Sequence, residues 1–408
     1  MTIKCRLCHS DDLFGFLDLG YHPPSDQFLK PEQLDEPVTY YPLRLVRCNE
    51  CSFVQLDHVV DPKILYQNDY PYMSSTTEAG RKHFDEFSGK IVEKFDLQSD
   101  DLVIDVGSNV GVLLGGFKNR GIKVLGIDPA PNIVKIAEQN GIRTIVDFFG
   151  HQCGDHVVEK FGKAKIITAS NVFAHIDDLH SVMEDVKTVL EDDGVFIIEA
   201  PYLQHLIDNL EYDTIYHEHL SYLSLSPLKP FFEKLGYEIF DIDLITIHGG
   251  SLRVYIAKKG QHKIQPIVGE LLQKETDSKI HETATLQKFA QDVAKNRETL
   301  LSLIRDLKKQ GKKIAAVSAP AKGMTLLNYC GLSREDLLFA TEKCELKVGR
   351  FTPGGNLLVK TDRALIDSDI DYAILLSWNF KDEIIKNLSF YSENGGKFII
   401  PIPTPTIV

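Results

Sequence analysis

Asp101-Leu-Val-Ile-Asp105-Val-Gly107-Ser-Asn109-Val-Gly111 runs from an apolar strand into a glycine turn and then into a helical pattern, Val112 to Asn119. Gly107 and Gly111 let the backbone turn tightly and come close to a ligand. After Gly121 a second strand, Lys123-Val-Leu-Gly-Ile-Asp128, ends in an acid placed to accept both hydroxyls of a ribose. The GxGxxG phosphate fingerprint is missing. Alternation continues outward from this unit, with strands at Gly141 to Val146, Ala164 to Thr168 and Gly194 to Glu199 and helices near Asp155 to Phe161 and Asp177 to Leu190. The pattern predicts an α/β fold with a doubly wound parallel sheet.

The way the sheet closes separates two cofactor classes. Tyr237-Glu-Ile-Phe-Asp-Ile-Asp-Leu-Ile245 and Ser251-Leu-Arg-Val-Tyr-Ile256 are joined through His248-Gly-Gly250, a link short enough for a hairpin and too short for a crossover. An antiparallel pair ending the sheet resembles a class I methyltransferase and not a dehydrogenase, so the expected cofactor is S-adenosylmethionine rather than NAD. On that reading Asp105, Gly107, Ser108, Asn109 and Gly111 surround the methionine half and Asp128 holds the ribose. Phe148, in Asp147-Phe-Phe149, lies beside the adenine, and Asn171, in Asn171-Val-Phe-Ala-His175, faces the sulfonium and substrate. A lone histidine at such a place more often packs or caps, so His175 is a secondary candidate.

At 408 residues the chain exceeds one ordinary core. The expected domains are a zinc-binding module over 1–68, a methyltransferase domain over 69–258 and a Rossmann-like domain over 259–408. A net charge of -13 would repel a phosphate backbone, and the basic cluster Lys308 to Lys313 is short and broken by Gly311, so nucleic acid is not an expected partner. The sequence contains neither an apolar run of membrane-spanning length nor the apolar core of a signal peptide, and the expected location is cytoplasmic, with no membrane partner. In a reducing compartment, Cys5-Arg-Leu-Cys8 and Cys48-Asn-Glu-Cys51 point to a tetrahedral thiolate site for a structural Zn2+, with a redox dithiol or free thiols as rivals. The proline-rich segment between the pairs is too short to build a core unaided. Four sulfurs leave no open position on the metal, hence no catalytic role.

Two stretches are rich enough to carry chemistry. Glu211-Tyr-Asp-Thr-Ile-Tyr-His-Glu-His-Leu-Ser-Tyr222 holds three aromatics, two histidines and three carboxylates, a density that suits an acid/base centre and also a hydrogen-bonded polar core. It follows the fifth strand, on the side where strand ends gather ligands, which favours the acid/base reading. On an extended chain His217 and His219 would share one face and Tyr216 and Glu218 the other. The second stretch, Tyr66-Gln-Asn-Asp-Tyr70-Pro-Tyr72-Met-Ser-Ser-Thr-Thr77, either lines a cleft or packs two domains together; a helix is expected after it, from Thr77 to Phe95. Beyond a charged helical segment, Pro266 to Lys309, a second α/β unit begins at Lys313. Its Ser318 to Gly323 turn carries Lys322 and suits an anion, or is an ordinary strand-to-helix turn. Strands are expected at Asp336 to Ala340, Asp371 to Leu376 and Lys397 to Ile400, with a helix at Phe380 to Leu388; the unit lacks both a GxGxxG and a ribose acid.

The order of these parts is itself informative. A four-cysteine module, a methyltransferase domain, Tyr216-His-Glu-His219, and then Ala319-Pro-Ala-Lys-Gly323 and Leu327-Asn-Tyr-Cys-Gly331 resemble, over essentially the whole chain, the nucleotide-sugar C-methyltransferases. Tyr70-Pro-Tyr72 with Ser74-Ser75, Asn171 to His175, Gly249-Gly-Ser-Leu-Arg253 and Ser377-Trp-Asn-Phe380 match as well. Val110 departs from the Asp usual in the family's GSNDG turn, and Ser318 stands where the family often has Gly. The resemblance implies a monomer that methylates carbon 3 of a TDP- or GDP-linked 4-keto-6-deoxyhexose, with S-adenosylmethionine as donor. It implies His219 as the base, Glu218 as its orienter or a sugar contact, and Tyr216 and Tyr70 as hydroxyls on the sugar or enolate oxygen. Tyr72, Lys322 and Asn328 would bind the nucleotide sugar, and His217 has no assigned role. The chemistry is consistent, because a C–H beside a ketone yields its proton to a positioned imidazole while the enolate oxygen needs donors. Methylation at carbon 5 or at a hydroxyl oxygen, and a non-catalytic nucleotide-sugar binder, are the rival readings.

Overall fold

The computed structural model describes residues 3–67, 69–75, 77–150, 152–245 and 250–408. Among them the chain forms three sheets. The first begins with β1 (Leu13–His22), β2 (Tyr41–Cys48) and β3 (Val54–Leu56), antiparallel in sequence order. The helix Glu78–Lys94 follows, started by the Thr77 hydroxyl accepting the Gly80 N–H. Phe87 and Ile91 on its inner face are buried against Phe117 and Val103, as the apolar spacing predicts.

The second sheet has β4 (Leu102–Val106), β5 (Lys123–Asp128), β6 (Thr144–Val146), β7 (Ala164–Ser170) and β8 (Leu190–Pro201), all parallel. β4 is buried at every position, the continuous apolar run expected of a strand covered on both faces. β9 (Ser221–Tyr222) leaves this sheet and joins the first one, with Val54 opposite Tyr222 and Gln55 opposite Ser221. The chain then returns with β10 (Tyr237–Ile245) and β11 (Ser251–Lys258), giving the order β10-β11-β8-β7-β4-β5-β6. β11 is antiparallel to both neighbours. This is the antiparallel closure the sequence predicts; the link through His248 and Gly249 lies outside the described residues.

The third sheet comprises β12 (Ile314–Val317), β13 (Ala340–Thr341), β14 (Val359–Lys360), β15 (Tyr372–Leu375), β16 (Lys397–Ile400) and β17 (Thr406–Ile407), in the order β14-β13-β12-β15-β16-β17. It is parallel except for β17. The strand expected from Asp336 is reduced to Ala340–Thr341, because Asp336 is drawn into a turn on Ser333 and onto the Lys308 ammonium, 2.6 Å away. The long helical segment divides at Lys279, whose φ is 56°, into Pro266–Ser278 and Thr283–Lys309. The predicted Phe380 to Leu388 helix is Lys381–Asn387, entered through a 3-10 turn, Trp378–Phe380. One apolar cluster spans all three sheets' surroundings: Leu17, Leu45 and Val54 of the first module pack with Leu203, Tyr212 and Ile215, and these with Leu300, Met324 and Leu327. The segment after β8 is therefore held from both sides.

Candidate active site

The turn after β4 shows why glycine is needed there. Gly107 and Gly111 have φ of 66° and 80°, and a Cβ on Gly107 would stand 2.2 Å from Cγ2 of Val172. Asp128 fixes the turn from the end of β5, accepting the N–H groups of Asn109 and Ala130, both at 2.9 Å. Asn109 in turn accepts the Ser74 N–H at 2.9 Å and donates to the Tyr72 carbonyl at 3.2 Å, which ties the tyrosine segment to the cofactor turn. Val110, where an acid would be expected, is buried with Ala130 and Ile133, and Tyr70 and Met73 pack on that cluster.

A cavity of about 550 Å³ opens over the turn, lined among others by Asp105, Gly107, Ser108, Asn109, Asp128, Phe148 and Asn171 on one side and by Tyr66, Tyr70, Tyr72 and His175 on the other. Gly111 does not line it; it starts the helix Val112–Asn119 and packs on Ile142. Burial pushes the Asp105 carboxyl up to about 7, opposed by the Thr168 hydroxyl, which donates to it at 2.6 Å. A carboxyl that ionises near a cationic amino group, a second acid with unused lone pairs at the strand end and an aromatic beside it fit S-adenosylmethionine along its length.

The 211–222 stretch is folded, not extended. The 3-10 turn Tyr212–Thr214 and a bond from His219 N–H to the Tyr216 carbonyl, 2.9 Å, curl it so that the Tyr216 and His219 rings lie 3.9 Å apart. This corrects the alternating faces expected of a strand. His219 Nδ1 is 2.7 Å from the Thr214 carbonyl, which can only accept, so Nδ1 carries the proton and Nε2 is the basic atom. Tyr216 donates its hydroxyl to that Nε2 at 2.6 Å. His175 stands 4.9 Å from His219, ring to ring; burial and then the nearness of this second imidazole hold it well below the usual imidazole range. Its Nε2 is buried without a hydrogen-bond partner among the described residues.

Glu218 does not orient His219; the Thr214 carbonyl does. Glu218 Oε2 instead accepts the Tyr70 hydroxyl at 2.9 Å, and burial together with Asp26 raises its carboxyl to about 8. His217 points the other way, into the first module, with Nε2 3.3 Å from the Pro42 carbonyl and the Tyr41 ring at its edge.

The candidates in the third domain are turned to structural partners. Lys322 is engaged by Asn379 Oδ1 and lies 3.8 Å from Asp213. Asn328 donates to the carbonyls of Met324 and Pro353 at 2.9 and 3.3 Å. Ser318 has φ of 64°, the reason glycine suits that position. An acid does close the second strand of this sheet: Glu342, just after β13, accepts the Ala319 N–H at 2.9 Å, much as Asp128 does in the other domain. Residue spacing hid it because the strand before it is only two residues long. Asp26 was missed, because it belongs to no motif and reaches the site only through the tertiary fold; Tyr66 and Thr214 lie inside the two quoted stretches but were given no role there, Thr214 because its part is played by a backbone carbonyl in a local turn.

Cys5, Cys8, Cys48 and Cys51 bring their sulfurs within 4.8 Å of one another, with Cys5 to Cys51 at 3.4 Å and Cys8 to Cys48 at 3.5 Å. The hydrogen bond with Cys51 pulls the Cys5 thiol down to about 5. Four converging thiols, one readily ionised, fit a closed zinc site.

The C-methyltransferase NovU of Streptomyces niveus is 35% identical over 406 residues, covering 99% of this chain and 96% of that protein. The chain belongs to the C-methyltransferase family. Models described as "Putative zinc binding domain", "Methyltransferase domain" and "C-methyltransferase C-terminal domain" match residues 5–66, 81–242 and 246–403 of this C-methyltransferase. A ubiquinone biosynthesis O-methyltransferase from Actinobacillus pleuropneumoniae is 35% identical over 108 residues, 24% of this chain and 44% of its own. Among solved structures, an S-adenosylmethionine-dependent methyltransferase from Clostridium acetobutylicum is 14% identical, covering 44% of this chain and 92% of that one with a TM-score of 0.37. The C-methyltransferase thus carries a methyltransferase domain behind a zinc-binding module, and no described helix is long and apolar enough to cross a membrane.

Proposed function

We propose that this C-methyltransferase methylates carbon 3 of a nucleoside-diphosphate 4-keto-6-deoxyhexose, removing the proton beside the ketone with His219. The observation that carries the reading is the fixed tautomer: the Thr214 carbonyl accepts the Nδ1–H and leaves Nε2 with a lone pair facing the Tyr216 hydroxyl. S-adenosylmethionine, when bound, supplies the electrophilic methyl. Asp105, Gly107, Ser108, Asn109, Asp128, Phe148 and Asn171 hold it. The substrate's carbon gives its proton to Nε2, directly or through the Tyr216 hydroxyl, and the ketone oxygen takes up the negative charge. A neutral Glu218 is the donor for that oxygen, through the Oε1 left without a protein partner among the described residues while Oε2 accepts the Tyr70 hydroxyl, and burial keeps water from competing with it. His175, kept neutral by its surroundings, offers its bare Nε2 to a substrate hydroxyl.

The test is solvent deuterium exchange at carbon 3 of TDP- and GDP-linked 4-keto-6-deoxyhexoses, with product NMR to locate the methyl group. His219→Asn is expected to lose exchange and methylation by about a hundredfold or more while keeping the cofactor. Normal turnover in that variant removes His219 as base. Tyr216→Phe separates the two proton routes, since only the relay needs the hydroxyl. A methyl group on carbon 5 or on oxygen would displace the carbon 3 assignment.

A further inference from the structure

Behind the tyrosine segment a buried ion pair joins the two outer domains. Asp26, in the loop after β1, and Lys347, in the loop after β13, lie 2.8 Å apart with side chains 6% and 4% exposed. Lys347 also donates to the Ala319 carbonyl at 3.0 Å and stands 4.6 Å over the Phe28 ring. The loops themselves are stitched together, since Leu29 and Phe351 exchange both backbone hydrogen bonds, at 2.9 and 2.8 Å. The Lys347 loop then grips the tyrosine segment: Arg350 donates to Asp69 at 2.9 Å and the Cys344 thiol to the Pro71 carbonyl at 3.6 Å.

A buried ion pair is a weak source of stability, because desolvation offsets the attraction, so its main effects are position and field. The field falls on the proposed acid/base site. Asp26 acts on Glu218 and on the hydroxyls of Tyr66, Tyr70, Tyr72 and Tyr216, while Lys347 acts on Glu218 with the opposite sign and itself faces Glu342 as a second acid. Glu218 Oε1 is buried without a hydrogen-bond partner among the described residues, so no protein donor fixes its charge state from that side.

Resting on the acid/base reading above, we propose that Asp26 and Lys347 are positioning residues for methyl transfer: their ion pair fixes Glu218 and the Tyr66 to Tyr72 segment against His219, and the centre is complete only when both outer domains are docked. Without Lys347, the Asp26 charge stands unpaired beside Glu218. Without Asp26, the ammonium turns to Glu218, ionises it and draws it from Tyr70.

The test uses the full chain as Asp26→Asn, Lys347→Met, Lys347→Arg and the Asp26→Asn/Lys347→Met double variant. Infrared titration follows the carboxyl band of Glu218, assigned by its loss in Glu218→Gln, and turnover is measured on TDP-4-keto-6-deoxyhexose. The expected result is a Glu218 midpoint moved down in Asp26→Asn and up in Lys347→Met. With it goes a loss in kcat of about tenfold or more in each, as small misplacements at a reacting centre produce, and cofactor affinity changed less than about twofold. The double variant and Lys347→Arg are expected to recover part of the loss, as coupled partners do; the shifted Glu218 midpoint is the reading that a purely structural pair would not give. An unmoved midpoint, wild-type kcat in the single variants, or losses that simply multiply in the double variant would overturn the proposal. If Lys347→Met does not fold, Lys347→Arg and Asp26→Asn decide by the same readings. Should His219→Asn turn over normally, the acid/base reading fails while the midpoints still report on the pair, so the two failures are told apart.

Discussion

His217 and His219 are two residues apart and have opposite surroundings. His219 has both ring nitrogens engaged, by Thr214 and Tyr216. His217 is buried among the Pro42 carbonyl, Tyr41 and His22, and burial lowers its imidazole to about 4. The unfolded chain takes up a proton near pH 6.5, while the folded chain refuses it until about pH 4. Stability contributed by neutral His217 is therefore present above pH 6.5 and lost as pH falls through that window, at about 1.4 kcal/mol per pH unit. Buried His22 shifts in the same direction. Thermal unfolding between pH 7 and 4.5 is expected to show this slope and His217→Gln to flatten it; an unchanged slope would mean that His217 does not stay neutral. Glu218 has the opposite sign: if its neutral form is the donor, turnover falls as pH rises through about 8, and Glu218→Gln, which donates without titrating, removes that alkaline limb. A limb that survives the substitution would assign it elsewhere. The residue pattern held both histidines in plain view and could not rank them, because a tight turn and an extended strand distribute neighbours differently and nothing local distinguishes the two; only the family resemblance favoured His219.

The cofactor turn was legible at the level of elements, because its requirements are local: two positive φ angles, a strand before, a helix after and an acid at the next strand end. Gly107→Ala tests that logic directly. A Cβ would meet Val172 at 2.2 Å, and φ is 66°, so the turn must shift where Asn109 and Asp128 hold it. Calorimetric titration is expected to show S-adenosylmethionine affinity reduced by about tenfold or more, since several contacts move together, with fold and zinc content retained. Wild-type affinity would mean that the cofactor does not lie on this turn. By contrast, β13 at two residues and the glycine-poor turn at Ser318 were hard to read, and with them Glu342, because an element that short carries no periodicity.

At the scale of the whole molecule, the four-cysteine module is linked to the chemistry by topology. The sequence suggests a closed metal with no catalytic part, and the sulfur geometry agrees that it has no open position. Yet β9, which begins two residues after His219, is the fourth strand of the module's sheet and pairs with β3, itself just after Cys51. Arg6, between Cys5 and Cys8, donates to the carbonyls of Leu56 and Leu220 at 3.0 and 3.2 Å, fastening the metal loop to both strands. Loss of the metal should then loosen the segment that holds Tyr216 to His219 while leaving β4, β5 and the cofactor turn intact. Chelation or Cys51→Ser is expected to lower the melting temperature and to reduce kcat by about tenfold or more. S-adenosylmethionine affinity should change far less, because none of the residues assigned to it lies in the module. Measuring metal content, cofactor binding and turnover on one preparation separates the possibilities. Equal loss of cofactor binding would point to general unfolding, and full activity in metal-free protein would show that the sheet holds His219 without its metal.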